Sequence, residues 1–91
     1  MTTNFDPAEF IKITRLDFQK ASDEELVKCF NRQLGNPGWG TARSIYISEL
    51  RKEFHNRKWD YSVITNDSGG FKLAKGNDVS LMDKKLILIH N

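Results

Sequence analysis

Ser44, Ser48, Arg51, Lys52, His55 and Lys58 are the side chains whose types and spacing could do chemistry together. Stepped at ~100° per residue along a helix, they fall on one side, and that side carries no acid. Hydroxyls, a guanidinium, ammonium groups and an imidazole on one face are mainly hydrogen-bond donors, suited to phosphate or to an acidic partner. The competing reading is that Arg51, Lys52, Arg57 and Lys58 are solvated charges favoured near the negative end of the helix dipole. Just upstream, Asn36-Pro37-Gly38-Trp39-Gly40 is a glycine-studded turn. Free amides at Gly38 and Gly40, opening a helix, could hold an anion. Trp39 in that turn reads as a plug at the core or its rim.

Little else in the chain has reactive spacing. His55 and His90 are the only histidines and Cys29 the only thiol, and they lie on different predicted elements with no metal-ligand spacing. His55 reads as an exposed histidine, His90 as part of a frayed end, and Cys29 as a buried, inert thiol. No serine sits in a G-x-S-x-G elbow, and the glycines make neither a Walker nor a Rossmann fingerprint. The expectation is therefore a protein that is not an enzyme and uses no metal or cofactor. A lone cysteine forms no intramolecular disulfide, no apolar run is long enough to span a membrane, and residues 1–6 have no signal-peptide character. These features lead to the expectation of a cytoplasmic protein without membrane contact. Asn66-Asp67-Ser68 matches a glycosylation sequon, read as chance without a secretion signal.

The elements that must position these residues follow from capping and periodicity. Asp6-Pro7-Ala8-Glu9 has the form of a helix start, with Asp as cap and Pro at the first helical position. Beyond it, residues 10–18 admit two readings: a short helix, or a strand with Ile11 and Ile13, then Leu16 and Phe18, two apart. Ser22 and Glu25 make a capping-box pattern opening a helix over 23–34, with Leu26, Val27, Phe30 and Leu34 at helical spacing and Gly35 as the stop. A central helix over 41–58 has Thr41 as its expected N-cap and Tyr46, Ile47, Leu50 and Phe54 as its apolar stripe. Glu53 and Arg57 are spaced i,i+4 in the favourable order. Arg43 falls inside the apolar arc: either it lies in the first turn and turns outward, or it pairs with a carboxylate where core meets surface, a structural role in preference to a functional one. After Trp59, short alternating runs at 61–65, 71–73, 79–81 and 85–90 are separated by Gly, Asn and Asp turns.

The fold expected is one α+β domain over residues 1–91: two or three helices packed on one face of a three- to four-stranded antiparallel β-meander in the C-terminal half. Net charge is +2. The excess lies in residues 35–59, with five basic against two acidic side chains, while residues 60–91 carry four of each. Helix, Gly/Pro turn, longer helix, then hairpin resembles the order of elements in winged helix-turn-helix domains, over about residues 22–90. That resemblance implies Gly38 and Gly40 at phosphate, Ser44, Ser48, Arg51, Lys52 and His55 facing a groove, and Lys72 and Lys75 on the wing. The first expectation for function is nevertheless a small protein-interaction domain, regulatory or adaptor in kind, with itself or another protein as partner. It rests on the aromatic and apolar richness of so short a chain and on the doubly apolar last strand. The alternative is a nucleic-acid-binding module using the helix over 41–58.

Overall fold

The computed structural model describes residues 5–36, 38 and 40–89. Trp39 and His90 therefore lie outside the described residues, and their expected roles have no counterpart there. The elements are α1 (Pro7–Lys20), α2 (Asp23–Gln33), α3 (Thr41–Asn56), a 3-10 turn (Ser62–Ile64), β1 (Val79–Met82) and β2 (Lys85–Leu88). The architecture is α+β, with three helices and a two-stranded antiparallel sheet.

The helix starts are written locally. Asp6 accepts from the amides of Ala8 and Glu9, with Pro7 at the first helical position. Ser22 and Glu25 form the reciprocal capping box, at 3.1 and 2.9 Å. Residues 10–18 are all helix, which settles the ambiguous segment. Thr14 and Phe18 are its buried positions, one turn apart, whereas Ile13 and Leu16 point outward at 50% and 45% exposure. Apolar residues on both sides of one helix are what imitates strand alternation in the sequence.

α3 buries Ile47, Leu50 and Phe54, as its stripe requires, with Tyr46 half-buried beside them. Two details differ from the sequence reading. Gly40, in extended conformation, is the N-cap, and Thr41 is the first helical residue, so no side chain caps this end. The helix also stops at Asn56 rather than Lys58. Lys58 takes a left-handed conformation with φ 61°. Its amide bonds the carbonyl of His55, and that of Trp59 bonds the carbonyl of Phe54. This is a Schellman ending, and its apolar contact is the Phe54–Trp59 stack, with centroids 4.9 Å apart.

α3 lies beside α1 and parallel to it: Arg15 meets Glu49, and the carbonyls of Phe18 and Ala21 meet Arg57. α2 instead docks on the hairpin through Asn31. Its side-chain amide donates to the Val79 carbonyl and its oxygen accepts the Val79 amide, both at 2.9 Å, so one side chain does the work of a neighbouring strand. Phe30, Leu26, Leu50, Phe54, Ile64, Val79 and Leu86 are fully buried in one cluster.

The expected meander of three to four strands is reduced to one hairpin. Val79 pairs with Leu88 and Met82 with Lys85 across a tight turn in which Asp83 and Lys84 both have positive φ, the twist a two-residue connection needs. Residues 61–65 do not form a strand. The Asp60 carboxylate accepts from the amide and hydroxyl of Ser62 and winds the chain into the 3-10 turn. Phe71–Leu73 contributes only an isolated bridge, Thr65 to Phe71. Phe71 is held instead by edge-on packing against Phe30, at 5.4 Å between ring centroids.

A left-handed lysine is strained relative to glycine at the same position. Lys58→Gly is expected to raise stability by about 0.5–1 kcal/mol in urea denaturation. A loss instead would mean that the Lys58 stem contributes packing that outweighs the backbone strain.

Candidate functional site

The donor face expected on α3 is distributed over two shallow recesses. Ser44, Ser48 and Arg51 line one, facing the Ser68–Phe71 loop. Arg51, Lys52 and His55 line the other with Asn56 and Tyr61. Arg51 bridges to the loop, donating to the Gly69 carbonyl at 3.2 Å. The loop is held by Asn66, whose side-chain oxygen accepts from the Ser68 amide and hydroxyl and from the Gly70 amide. His55 is exposed, and Lys58 sits in the helix ending described above.

The remaining predicted residues lie elsewhere. The Gly38 amide donates to Asn36 at 3.0 Å, and its carbonyl accepts from Arg43 at 2.6 Å. Gly40 turns its carbonyl to the Ser44 amide. Lys72 and Lys75 are exposed but precede the hairpin. Lys75 lies against Gly35 at the end of α2, where a Cβ on Gly35 would come within 3.1 Å of the Lys75 Cβ. Positive φ at Gly35 and that close approach both call for glycine.

Much of the positive charge of residues 35–59 is used inside the molecule. Arg43 donates to the side chain and the carbonyl of Gln33, closing the C-terminal end of α2. These partners are carbonyl oxygens and not the expected carboxylate, and they tie α3 to the end of α2. Arg57 bonds Glu53 at 2.8 Å, Asp23 at 2.6 Å and the carbonyls of Phe18 and Ala21. Lys52 shares Glu49 with Arg15, at 3.1 and 2.8 Å. Burial acts to raise the Glu49 carboxyl, but the hydrogen bonds and charges of Arg15 and Lys52 outweigh it and hold the group below its ordinary 4.5.

Another recess among the described residues is one the sequence reading missed. An open groove of about 630 Å³ runs between α1 and α2. Phe10, Ile13, Phe18, Ala21, Cys29 and Tyr46 give it apolar character, while Asp17 stands on one wall and Lys28 and Arg32, one turn apart, on the other. Glu25 also lines it, with its carboxylate occupied at the Ser22 amide. Cys29 is half-buried here rather than enclosed, with Arg32 donating to its sulfur at 3.4 Å. Burial first, and then the Cys29 thiol beside it, push the Tyr46 phenol above its ordinary value. The signal that could have found this groove is Phe10, Thr14 and Phe18 at i,i+4 spacing, legible once the segment is taken as helix.

Among the described residues no group of three or more His, Cys, Asp or Glu side chains could hold a metal ion, and no helix is long and apolar enough to cross a membrane. Comparison of the chain with family models, curated proteins and solved structures finds no match.

The depressed Glu49 carboxyl has a signed consequence. A group with its folded pKa below its unfolded one contributes stability above about 4.5 and loses it as pH falls through the folded value. Glu25, bonded at the Ser22 cap, and Asp60, bonded by Ser62, are shifted the same way and share this acid limb. Thermal midpoints should therefore fall below about pH 4.5, and Glu49→Gln should show a shallower fall than the native chain. An unchanged slope in that variant would mean Glu49 titrates alike in folded and unfolded chains.

Proposed function

We propose that this chain is a protein-interaction domain that receives an apolar segment of a partner protein in the groove between α1 and α2. The observation that carries this reading is the groove itself, an aromatic and aliphatic trough left open between two helices of a small domain. Ile13 stands half-exposed on it. Closing the groove with apolar side chains would remove this surface from water at roughly 25 cal/mol per Å².

Charge defines the segment further. Lys28 and Arg32 stand a turn apart on the α2 wall, Lys28 in an exposed 3.7 Å pair with Glu24, and Asp17 stands on the α1 wall with no ion-pair partner among the described residues. An amphipathic helix with apolar residues at i, i+3 and i+4, and acids along the edge nearest α2, matches both features. Partner choice by such rim charges acts mainly through specificity and association rate.

The nucleic-acid alternative draws on the Ser44–His55 side of α3. What weighs against it is that on this side Lys52 is paired with Glu49 and Arg51 donates to the Gly69 carbonyl, while Arg43 and Arg57, which add to the basic count of the segment, bond elsewhere in the molecule.

A random peptide library selected on the immobilised full chain, with selection repeated on Ile13→Asp, tests the reading. Enriched peptides should pair apolar residues at helical spacing with acids and should lose at least tenfold in affinity for Ile13→Asp, about 1.4 kcal/mol. Binders that ignore Ile13→Asp and instead lose affinity on Arg51→Glu would overturn the groove assignment.

A further inference from the structure

A second surface of α1 faces away from both α3 and the groove floor. At ~100° per residue, Glu9, Ile13, Leu16 and Lys20 fall within roughly 60° of arc, opposite the buried Thr14 and Phe18. All four are exposed, Ile13 and Leu16 by about half. Among the described residues, neither Glu9 nor Lys20 has an ion-pair partner.

The order of these residues is self-complementary. Glu9 and Lys20 lie equally far, in opposite directions, from the midpoint between Ile13 and Leu16. A second copy of α1 laid antiparallel across a two-fold axis at that midpoint brings Ile13 level with the partner copy's Leu16. The same operation brings Glu9 level with the partner copy's Lys20, at both ends. Ile13 and Leu16 lean to opposite sides of the stripe, so each fills the space beside its counterpart instead of meeting it head-on. The parallel arrangement would oppose Glu9 to Glu9 and Lys20 to Lys20, so charge selects the antiparallel one.

We infer that the chain associates with a second copy of itself through the outer stripe of α1, antiparallel, with Ile13 and Leu16 as its apolar centre and two Glu9–Lys20 pairs closing its ends. Two helix faces of this length bury less than the ~1,200 Å² of a standard stable interface, so the dimer is weak and reversible. This surface shares Ile13 with the groove, but Glu9, Leu16 and Lys20 do not line it, so variants at those three positions test the dimer independently of the groove reading.

The test uses the full chain in sedimentation velocity over a concentration series up to ~1 mM, the range of weak association. The native chain should show concentration-dependent dimer, and Leu16→Glu should be monomeric throughout. Glu9→Lys alone sets lysine against lysine, and Lys20→Glu alone sets glutamate against glutamate, so each should be monomeric. An equimolar mixture of these two variants restores both end pairs and should dimerise again. Both substitutions oppose the dipole of α1, so recovery on mixing could not come from a better helix, and far-UV circular dichroism checks that each variant stays folded. A native chain monomeric at every concentration would overturn the inference. So would a dimer untouched by Leu16→Glu, or a mixture no more associated than its components.

Discussion

The arrangement of the three helices depends on where one guanidinium goes. Arg57, at the end of α3, is the donor for Glu53 in its own helix, Asp23 at the start of α2, and two carbonyls at the end of α1. Glu53 is almost wholly buried, and a buried carboxylate without a cation is costly. The carbonyls of Phe18 and Ala21 sit where α1 ends; that of Phe18 also accepts the Ala21 amide at 3.2 Å, and Arg57 donates to both. With these groups gathered on one side chain, the C-terminal ends of α1 and α3 are pinned together, and the turn into α2 is fixed against them. Glu49, held by Arg15 and Lys52 further along, keeps the two helices parallel. Such buried ion pairs add little net stability, and their contribution is to single out one packing.

That constraint also decides which surfaces are left. With α1 laid along α3, Thr14 and Phe18 turn inward while Ile13 and Leu16 turn outward. α2 is drawn toward the hairpin by Asn31, away from α1, and the groove opens between them. Of the basic side chains in residues 35–59, Arg43 and Arg57 hold α3 in place and Lys52 pairs with Glu49. The exposed large apolar side chains of the helices are thus Ile13 and Leu16 on α1, and it is on these that the proposed recognition rests.

Much of this was legible in the chain where the determinants are local. The Ser22–Glu25 capping box, Gly35 after α2, and the Ile47, Leu50, Phe54 stripe are each decided by neighbours a turn apart, and all appear as read. Glu53 and Arg57 were readable as an i,i+4 pair, but not as part of a junction with residues more than thirty positions away. α1 was ambiguous because it is apolar on two sides, one for the core and one facing out. The expected strands at 61–65 and 71–73 failed for a different reason. Asp60 and Asn66 capture the backbone in local turns, and aromatic packing around Phe71 then holds the segment without a ladder. Of the candidate site, Ser44, Ser48, Arg51, Lys52 and His55 do share one side of α3. Gly38 and Arg43 bond each other, a pairing that no helical wheel displays.

The measurement that bears most directly on this account is amide chemical-shift mapping of the labelled full chain against a mixed-sequence DNA duplex at low salt. On the proposed reading, with α1 as the recognition element, the resonances of Ser44, Ser48, Arg51 and His55 stay in place when the duplex is added. In the same samples without DNA, raising the protein concentration moves the resonances of Glu9, Ile13, Leu16 and Lys20. Shifts centred on Ser44, Arg51 and Lys72 that appear with the duplex and fade as salt rises, as counterion release demands, would contradict it.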